Sequence, residues 1–211
     1  MKYMKPLTLS KFEPLKFGLL TFRLLTFGLM FVSCNSSTIN SGNGGGSGTD
    51  LSLNSTLKTN ELDSSDKQAL LDAINAKRAK GFTCPTGGGR AMPAVPAFTW
   101  NDKLELAALR HTNVMLVKSP EFNKVNPHSG LGDGNPGTRA NAVGYKWLVI
   151  GENIAGGAPD VSEVIKDWLE STDGHCEAIM DKDFTQIGAS KLSTTGGPYA
   201  TYWTLDFGKP Q

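Results

Sequence analysis

FTQIGASKLSTTGGPYATYWTLDF, residues 184–207, holds two β-rich runs, 184–191 and 199–207. Between them Thr194, Thr195, Gly196, Gly197 and Pro198 form a turn-rich connection. β-branched and aromatic residues suit a pleated, half-buried surface, and a short Gly/Pro joint between two such runs reads as a hairpin. Moving upstream, the apolar spacing changes from strand-like to helical. Val161, Val164, Ile165, Trp168 and Leu169 make one helical stripe behind the capping residues Asp160 and Glu163, and residues 171–174 break it. Leu104, Ala107, Ala108, His111 and Met115 make a second stripe, capped by Asn101 with Trp100 just before it. Ser65 and Gln68 fit a capping box ahead of Leu70, Leu71, Ile74 and Arg78, and Gly81 ends that first helix. Helices first and an antiparallel pair last predict an α+β fold.

The long connections are also legible. Pro85, Gly87, Gly88, Gly89, Pro93 and Pro96 mark a loop after the first helix, and residues 119–144 are polar and Gly/Pro-rich, which predicts a long ordered loop. No internal repeat is present.

Three segments follow from composition. Residues 1–33 read as a signal peptide: Lys2, Lys5, Lys11, Lys16 and Arg23 form a basic leader before the uncharged run 24–33. That run of about ten residues is half of what a bilayer span needs, and suits the apolar part of an export signal. Cys34 follows a small residue, Ser33, as in a bacterial lipidation site, and a plain secretory cut near Ser33 is the other reading. Residues 34–64 read as that cysteine plus a Ser/Gly/Asn-rich spacer, with too few apolar side chains to offset ordering entropy. Residues 65–211 read as the folded domain. The expected location is extracytoplasmic, either secreted or on a bacterial membrane through an N-terminal lipid anchor.

Charge narrows the partners. Lys and Arg total 21 against 20 Asp and Glu, so the chain lacks the basic excess with which proteins neutralise phosphates, and no nucleic-acid partner is expected. If Cys34 carries lipid, Cys84 and Cys176 remain as a pair, which an oxidising compartment allows to form a disulfide; two unrelated buried thiols are the alternative.

Several motifs fail on context. Gly132, Gly134 and Gly137 match a dinucleotide fingerprint, but no apolar strand precedes them and Asn135-Pro136 favours extended or turn geometry. Gly87-Gly88-Gly89 lacks the ending of a phosphate loop, and neither a zincin helix nor a nucleophile elbow is present. The three histidines are more informative. His111 lies on a buried helical stripe and reads as a packed histidine with both ring nitrogens hydrogen-bonded. His128 and His175 fall in loops, where sites concentrate. Glu152 sits between Ile150 and Ile154, so if buried it needs a partner. Neutral imidazoles ligate zinc and similar metals, and a carboxylate can orient one from behind. The same residues could instead knit the loops together by hydrogen bonds.

Taken in order, these pieces carry a resemblance. They are Trp100, Asn101, Leu104, Ala107, Ala108 and His111; His128 and Ser129; Gly144 and Tyr145; Gly151, Glu152, Asn153 and Ile154. Then come Trp168, Glu170 and Ser171; Gly174 and His175; Phe184, Ile187 and Gly188; and Tyr202, Trp203, Thr204, Phe207 and Gly208. Over roughly residues 66–208 the chain resembles the CAP superfamily, or SCP domain, of cysteine-rich secretory, antigen 5 and pathogenesis-related proteins, in its short bacterial form. The resemblance implies a three-layer α-β-α sandwich around an antiparallel sheet. It also implies a cleft of two histidines with acidic partners, able in some members to hold a divalent metal such as zinc. Carried onto this sequence, the cleft residues are His128, Glu152, His175 and Glu170, with His128 and His175 as metal ligands. Glu170 stands one residue before Ser171, where animal members often have an acid. Cys84 and Cys176 resemble a disulfide-bearing bacterial subset. The implied function is a binding module for a lipid, a peptide or a partner protein. The alternative is a hydrolase acting outside the cytoplasm, using a metal-activated water between the histidines or a serine, Ser129 or Ser171.

Overall fold

A computed structural model describes residues 57–211. The signal peptide, the lipidation site at Cys34 and the spacer up to residue 56 lie outside the described residues. The helices are α1 (Ser64–Lys80), α2 (Asp102–Val117), α3 (Pro136–Ala142), α4 (Val161–Glu170) and α5 (His175–Ile179). The strands are β1 (Phe82–Cys84), β2 (Arg90–Met92), β3 (Thr99–Trp100), β4 (Trp147–Gly156), β5 (Gln186–Ser193) and β6 (Thr201–Pro210).

The C-terminal hairpin is the centre of the fold. β5 and β6 pair antiparallel from Gln186 opposite Gly208 to Ser193 opposite Thr201. β4 joins the other side of β6, again antiparallel, giving the order β3-β5-β6-β4. β3 alone runs parallel, over the pairs Thr99–Gln186 and Trp100–Ile187. Strand side chains alternate between faces, and β6 shows the result. Trp203, Leu205 and Phe207 pack with Leu70 and Ile74 of α1, Val164, Ile165, Trp168 and Leu169 of α4, and Ile179 of α5. Tyr202 points the other way, into a cluster with Val114 and Met115 of α2, and Thr204 accepts a 2.8 Å hydrogen bond from Thr112 of the same helix. The fold is therefore α+β in three layers, with α1, α4 and α5 on one face and α2 and α3 on the other.

Close packing on the α2 side depends on one glycine. A Cβ added at Gly188 of β5 would lie 2.1 Å from the backbone nitrogen of Glu105, so any side chain there forces α2 off the sheet. On the opposite side Arg78 is fully buried. It donates to the carbonyls of Pro96, Ile179, Asp181 and Phe184 and stacks 3.6 Å over the Phe98 ring. Burial pulls its pKa down to about 10, so the group remains charged at neutral pH. Cys84 and Cys176 form a disulfide with a Cα–Cα distance of 5.6 Å, joining β1 to α5.

The structure departs from the sequence reading in local ways. Asp63, rather than Ser65, caps α1: its carboxylate accepts from the Asp66 amide at 2.9 Å and from the Ser65 hydroxyl at 2.6 Å. An ionised acceptor at a helix N-terminus outcompetes a hydroxyl. The folded unit also begins before residue 65. Glu61 N–H donates to the Lys191 carbonyl, Asn60 bridges Ala189 and Lys191, and Leu62 is buried. The region 119–144 contains α3. Asn135 caps that helix through the Thr138 amide, and Pro136, which was expected to favour a turn, occupies its first turn. Proline is suited to that position because the amide it lacks has no intrahelical partner. The Gly151–Ala155 stretch lies within a ten-residue strand, β4.

Candidate functional site

The site is organised by the edge strand β4. Its successive side chains face opposite layers. Ile150 and Ile154 belong to the clusters under α2 and α3, while Val149 and Ala155 pack with α1, α4 and α5. Glu152 shares the first face and Asn153 the second. Each member of this pair receives one of the two histidines, His128 from its loop and His175 from the start of α5. The Nδ1 of His128 lies 2.8 Å from Glu152 Oε1, and Asn153 Nδ2 donates to the His175 backbone carbonyl at 3.0 Å. The two histidines thus approach the same strand from opposite layers.

Glu152 sits deep in a charged network. Only 5% of the residue is exposed. Arg139 of α3 donates through Nη2 to its second oxygen at 2.5 Å. Through Nη1, Arg139 also donates to the carbonyls of His128 and Gly134 and lies 3.5 Å from Asp133 Oδ1. One guanidinium therefore fixes both the carboxylate and the loop that carries His128. His111 is completely buried on α2, with Nδ1 2.6 Å from Asp133 Oδ2 and Nε2 3.8 Å from Glu152 Oε1. The expectation that both of its ring nitrogens are bonded holds only at Nδ1, because Nε2 has no hydrogen-bond partner among the described residues. Burial alone would raise the Glu152 pKa. The charges of His111 and Arg139 and the His128 hydrogen bond outweigh it and hold the carboxyl well below the usual range. Burial works against the Arg139 cation in the same way, but the neighbouring acids, Glu152 first, outweigh it and raise its pKa.

On the other layer Gly174 adopts φ 90°, a left-handed conformation that suits glycine, and places His175 as the first residue of α5. Its Nδ1 lies 2.8 Å from Ser171 Oγ, which also accepts from the Asp173 amide. Burial and the nearby His128 lower the His175 pKa to about 4, so the ring is neutral at physiological pH. Glu170 is exposed at the end of α4, and the side chain beside the His175 ring is that of Ser171. Ser129 is exposed on its loop.

Each histidine is thus held through Nδ1, by Glu152 in one case and Ser171 in the other, and among the described residues Nε2 of neither ring has a hydrogen-bond partner. Among the described residues, no group of three or more His, Cys, Asp or Glu side chains is arranged to hold a metal ion. A cation on His128 and His175 would take the rest of its shell from water or from a bound molecule. Three members of the network were not identified from sequence. Asp133 and Arg139 fall in a region that reads as loop, Asp133 inside the glycine match that fails on context and Arg139 just after it. Asp206 had a signal: it is an acid between Leu205 and Phe207 in an otherwise apolar strand.

This architecture and this His/Glu edge site define a small three-layer α-β-α domain. The chain belongs to the CAP family, the cysteine-rich secretory protein family, whose model matches residues 71–207. It is 32% identical over 74 residues to the uncharacterized protein YkwD of Bacillus subtilis strain 168, a match covering 35% of this chain and 26% of that protein. The chain therefore corresponds to about a quarter of that relative's length. Two solved structures share the fold. One is an extracellular protein containing an SCP domain from Bacillus anthracis, with a TM-score of 0.51 and 22% identity over 67% of this chain and 39% of that one. The other is an outer surface protein of Borrelia burgdorferi, with a TM-score of 0.53 and 24% identity over 71% of this chain and 97% of that one.

Proposed function

We propose that this CAP domain is an extracytoplasmic binding module, tethered through lipid on Cys34, whose cleft holds a divalent cation such as zinc on His128 and His175. The cation and cleft together take a lipid, peptide or protein ligand. The observation that carries this reading is the use of Nδ1 for support in both rings, by Glu152 and by Ser171, with Nε2 left over in each. A metal-bound imidazole needs this arrangement: one nitrogen fixed by an acceptor behind it and the other directed at the ion. The neutral state of His175 adds to it, since a protonated ring cannot ligate. When bound, the cation would act as a Lewis acid or an anchoring charge for an oxygen of the ligand. An outside location is supported by the basic leader, the apolar run and Cys34, and by the disulfide. Both structural relatives are described as extracellular or outer-surface proteins.

Zinc titration calorimetry of the chelator-treated protein tests the site. His128→Ala and His175→Ala should each abolish binding while the domain stays folded, and Glu152→Gln should weaken it about 10- to 100-fold. Unchanged zinc affinity in both histidine variants would overturn the metal reading. Cell fractionation tests the tether: Cys34→Ala should move the protein to the soluble fraction, and continued membrane retention would count against lipidation.

The 2.8 Å contact between Ser171 Oγ and His175 Nδ1 favours a second reading, serine-type hydrolysis. It ranks behind binding because no carboxylate among the described residues hydrogen-bonds the His175 ring to orient it as a base. Loss of ester hydrolysis in Ser171→Ala with zinc binding intact would reverse that order.

A further inference from the structure

We infer that Asp206 is a neutral carboxylic acid in the folded protein and donates its proton to Glu152, acting as a positioning residue for the carboxylate that holds His128. Asp206 is 1% exposed and lies directly opposite Glu152 in the β4–β6 register. Alternation along both strands turns the two carboxyls toward α2. Among the described residues neither Asp206 oxygen meets an N–H or O–H donor. The Arg139 guanidinium, which faces Asp206, is already committed to Glu152 and to the carbonyls of His128 and Gly134.

Among the described residues the surrounding elements supply no other partner. Glu152 faces Asp206 from β4, Arg139 from α3 and Asp133 from the loop before it. His111 enters from α2, where its Nε2 is directed at Glu152 and its Nδ1 at Asp133. On β5 the residue opposite Asp206 is Gly188, which has no side chain. Arg139 already stands between two acids, Glu152 and Asp133, so a third ionised carboxyl would be buried without compensation. A neutral acid resolves this. One Asp206 oxygen keeps its hydrogen and donates it to Glu152, which otherwise accepts only from Arg139 and His128 and has lone pairs to spare. No proton leaves the pair: Asp206 is the donor and Glu152 the acceptor. Burial and the Glu152 charge push the Asp206 pKa well above the ordinary carboxyl range, consistent with this arrangement.

Glu152 is thereby held from three sides. The third donor prevents the carboxylate from rotating away from the His128 ring. The inference concerns the carboxyl pair and stands independently of whether the cleft takes a cation.

The test compares the wild-type protein with Asp206→Asn and Asp206→Ala in equilibrium urea unfolding across pH, with chelator present so that metal binding plays no part. Asparagine keeps the shape and can donate an N–H to Glu152, but it does not titrate. A raised folded-state pKa stabilises the native state at low pH, and that contribution is lost as pH rises above the unfolded value of about 4. The unfolding constant of the wild type should therefore rise relative to that of Asp206→Asn by about tenfold per pH unit between about pH 4 and the folded-state value. Asp206→Ala, which has no donor, should be destabilised relative to Asp206→Asn at every pH. A ratio of wild type to Asp206→Asn that stays flat from about pH 4.5 to 8 would overturn the inference. Isotope-edited infrared spectroscopy of wild-type protein carrying ¹³C-aspartate covers the case in which Asp206→Asn fails to fold. A neutral-carboxyl carbonyl band at pH 7 supports the inference, and ionised carboxylate bands alone overturn it.

Discussion

Replacing Arg78 by methionine keeps most of the aliphatic volume and removes the guanidinium. Four carbonyls then lose a donor: Pro96, Ile179, Asp181 and Phe184. The bonds to Ile179 and Phe184 are wholly buried, so water cannot replace the lost partner there. A buried polar group left unmet costs about 1–3 kcal/mol, which gives about 2–6 kcal/mol for those two carbonyls. Loss of the stacking over Phe98 adds roughly 1 kcal/mol. Relief from desolvating the guanidinium offsets part of this, because burial already destabilises that cation enough to pull its pKa down to about 10. The net expectation is a loss of about 3–5 kcal/mol from a total of the order of 5–15 kcal/mol. Urea unfolding followed by tryptophan fluorescence measures it, with an unchanged m-value required for the comparison. Arg78→Lys retains the charge, but a single ammonium cannot span carbonyls contributed by separate segments, so it should recover less than half of the loss. A loss below about 1 kcal/mol in Arg78→Met would refute the reasoning, since it would mean that these carbonyls find other partners at no cost.

Three further outcomes can be measured. Cys84→Ala with Cys176→Ala opens a bridge across a sequence separation of 92 and should destabilise by up to about 4–5 kcal/mol in the chain-entropy model; a change under about 1 kcal/mol would show the link to be incidental. Gly188→Ala should lower the melting temperature sharply, because the added carbon meets α2 backbone rather than a flexible side chain; calorimetry showing an unchanged transition would contradict the close packing. The His175 pKa is lowered from 6.5 to about 4, so the unfolded chain takes up a proton that the native state refuses, and stability falls as pH drops through that window. In chelator-treated protein this amounts to about 3 kcal/mol. It is read as the difference between wild type and His175→Gln, because Asp206 contributes a slope of opposite sign over the same pH range. A difference independent of pH would show that the His175 ring titrates normally.

Local sequence was sufficient wherever structure is set by neighbours a few residues apart. The stripes of α2 and α4, their caps at Asn101 and Asp160, and the C-terminal hairpin are local patterns, and the structure contains all of them. The hairpin strands begin two residues later than their β-rich runs, and end two and three residues later, because pairing, not propensity, sets where a ladder ends. Asn135-Pro136 misled for a local reason, since the same dipeptide suits a turn or a helix start, and only the packing of Gly137 and Ala140 beneath β4 selects the helix. The loop histidines and Glu152 were visible as polar residues in places that called for explanation. Their arrangement was not. The register of β4 against β6 sets Glu152 opposite Asp206, and the alternation of an edge strand brings His128 and His175 to it from opposite layers. Arg139 becomes part of the site only because α3 places its guanidinium over that same face. Pattern along a chain records which side chains share a face of one element. The charges and carbonyls that meet across elements depend on long-range pairing, which a single sequence does not encode locally.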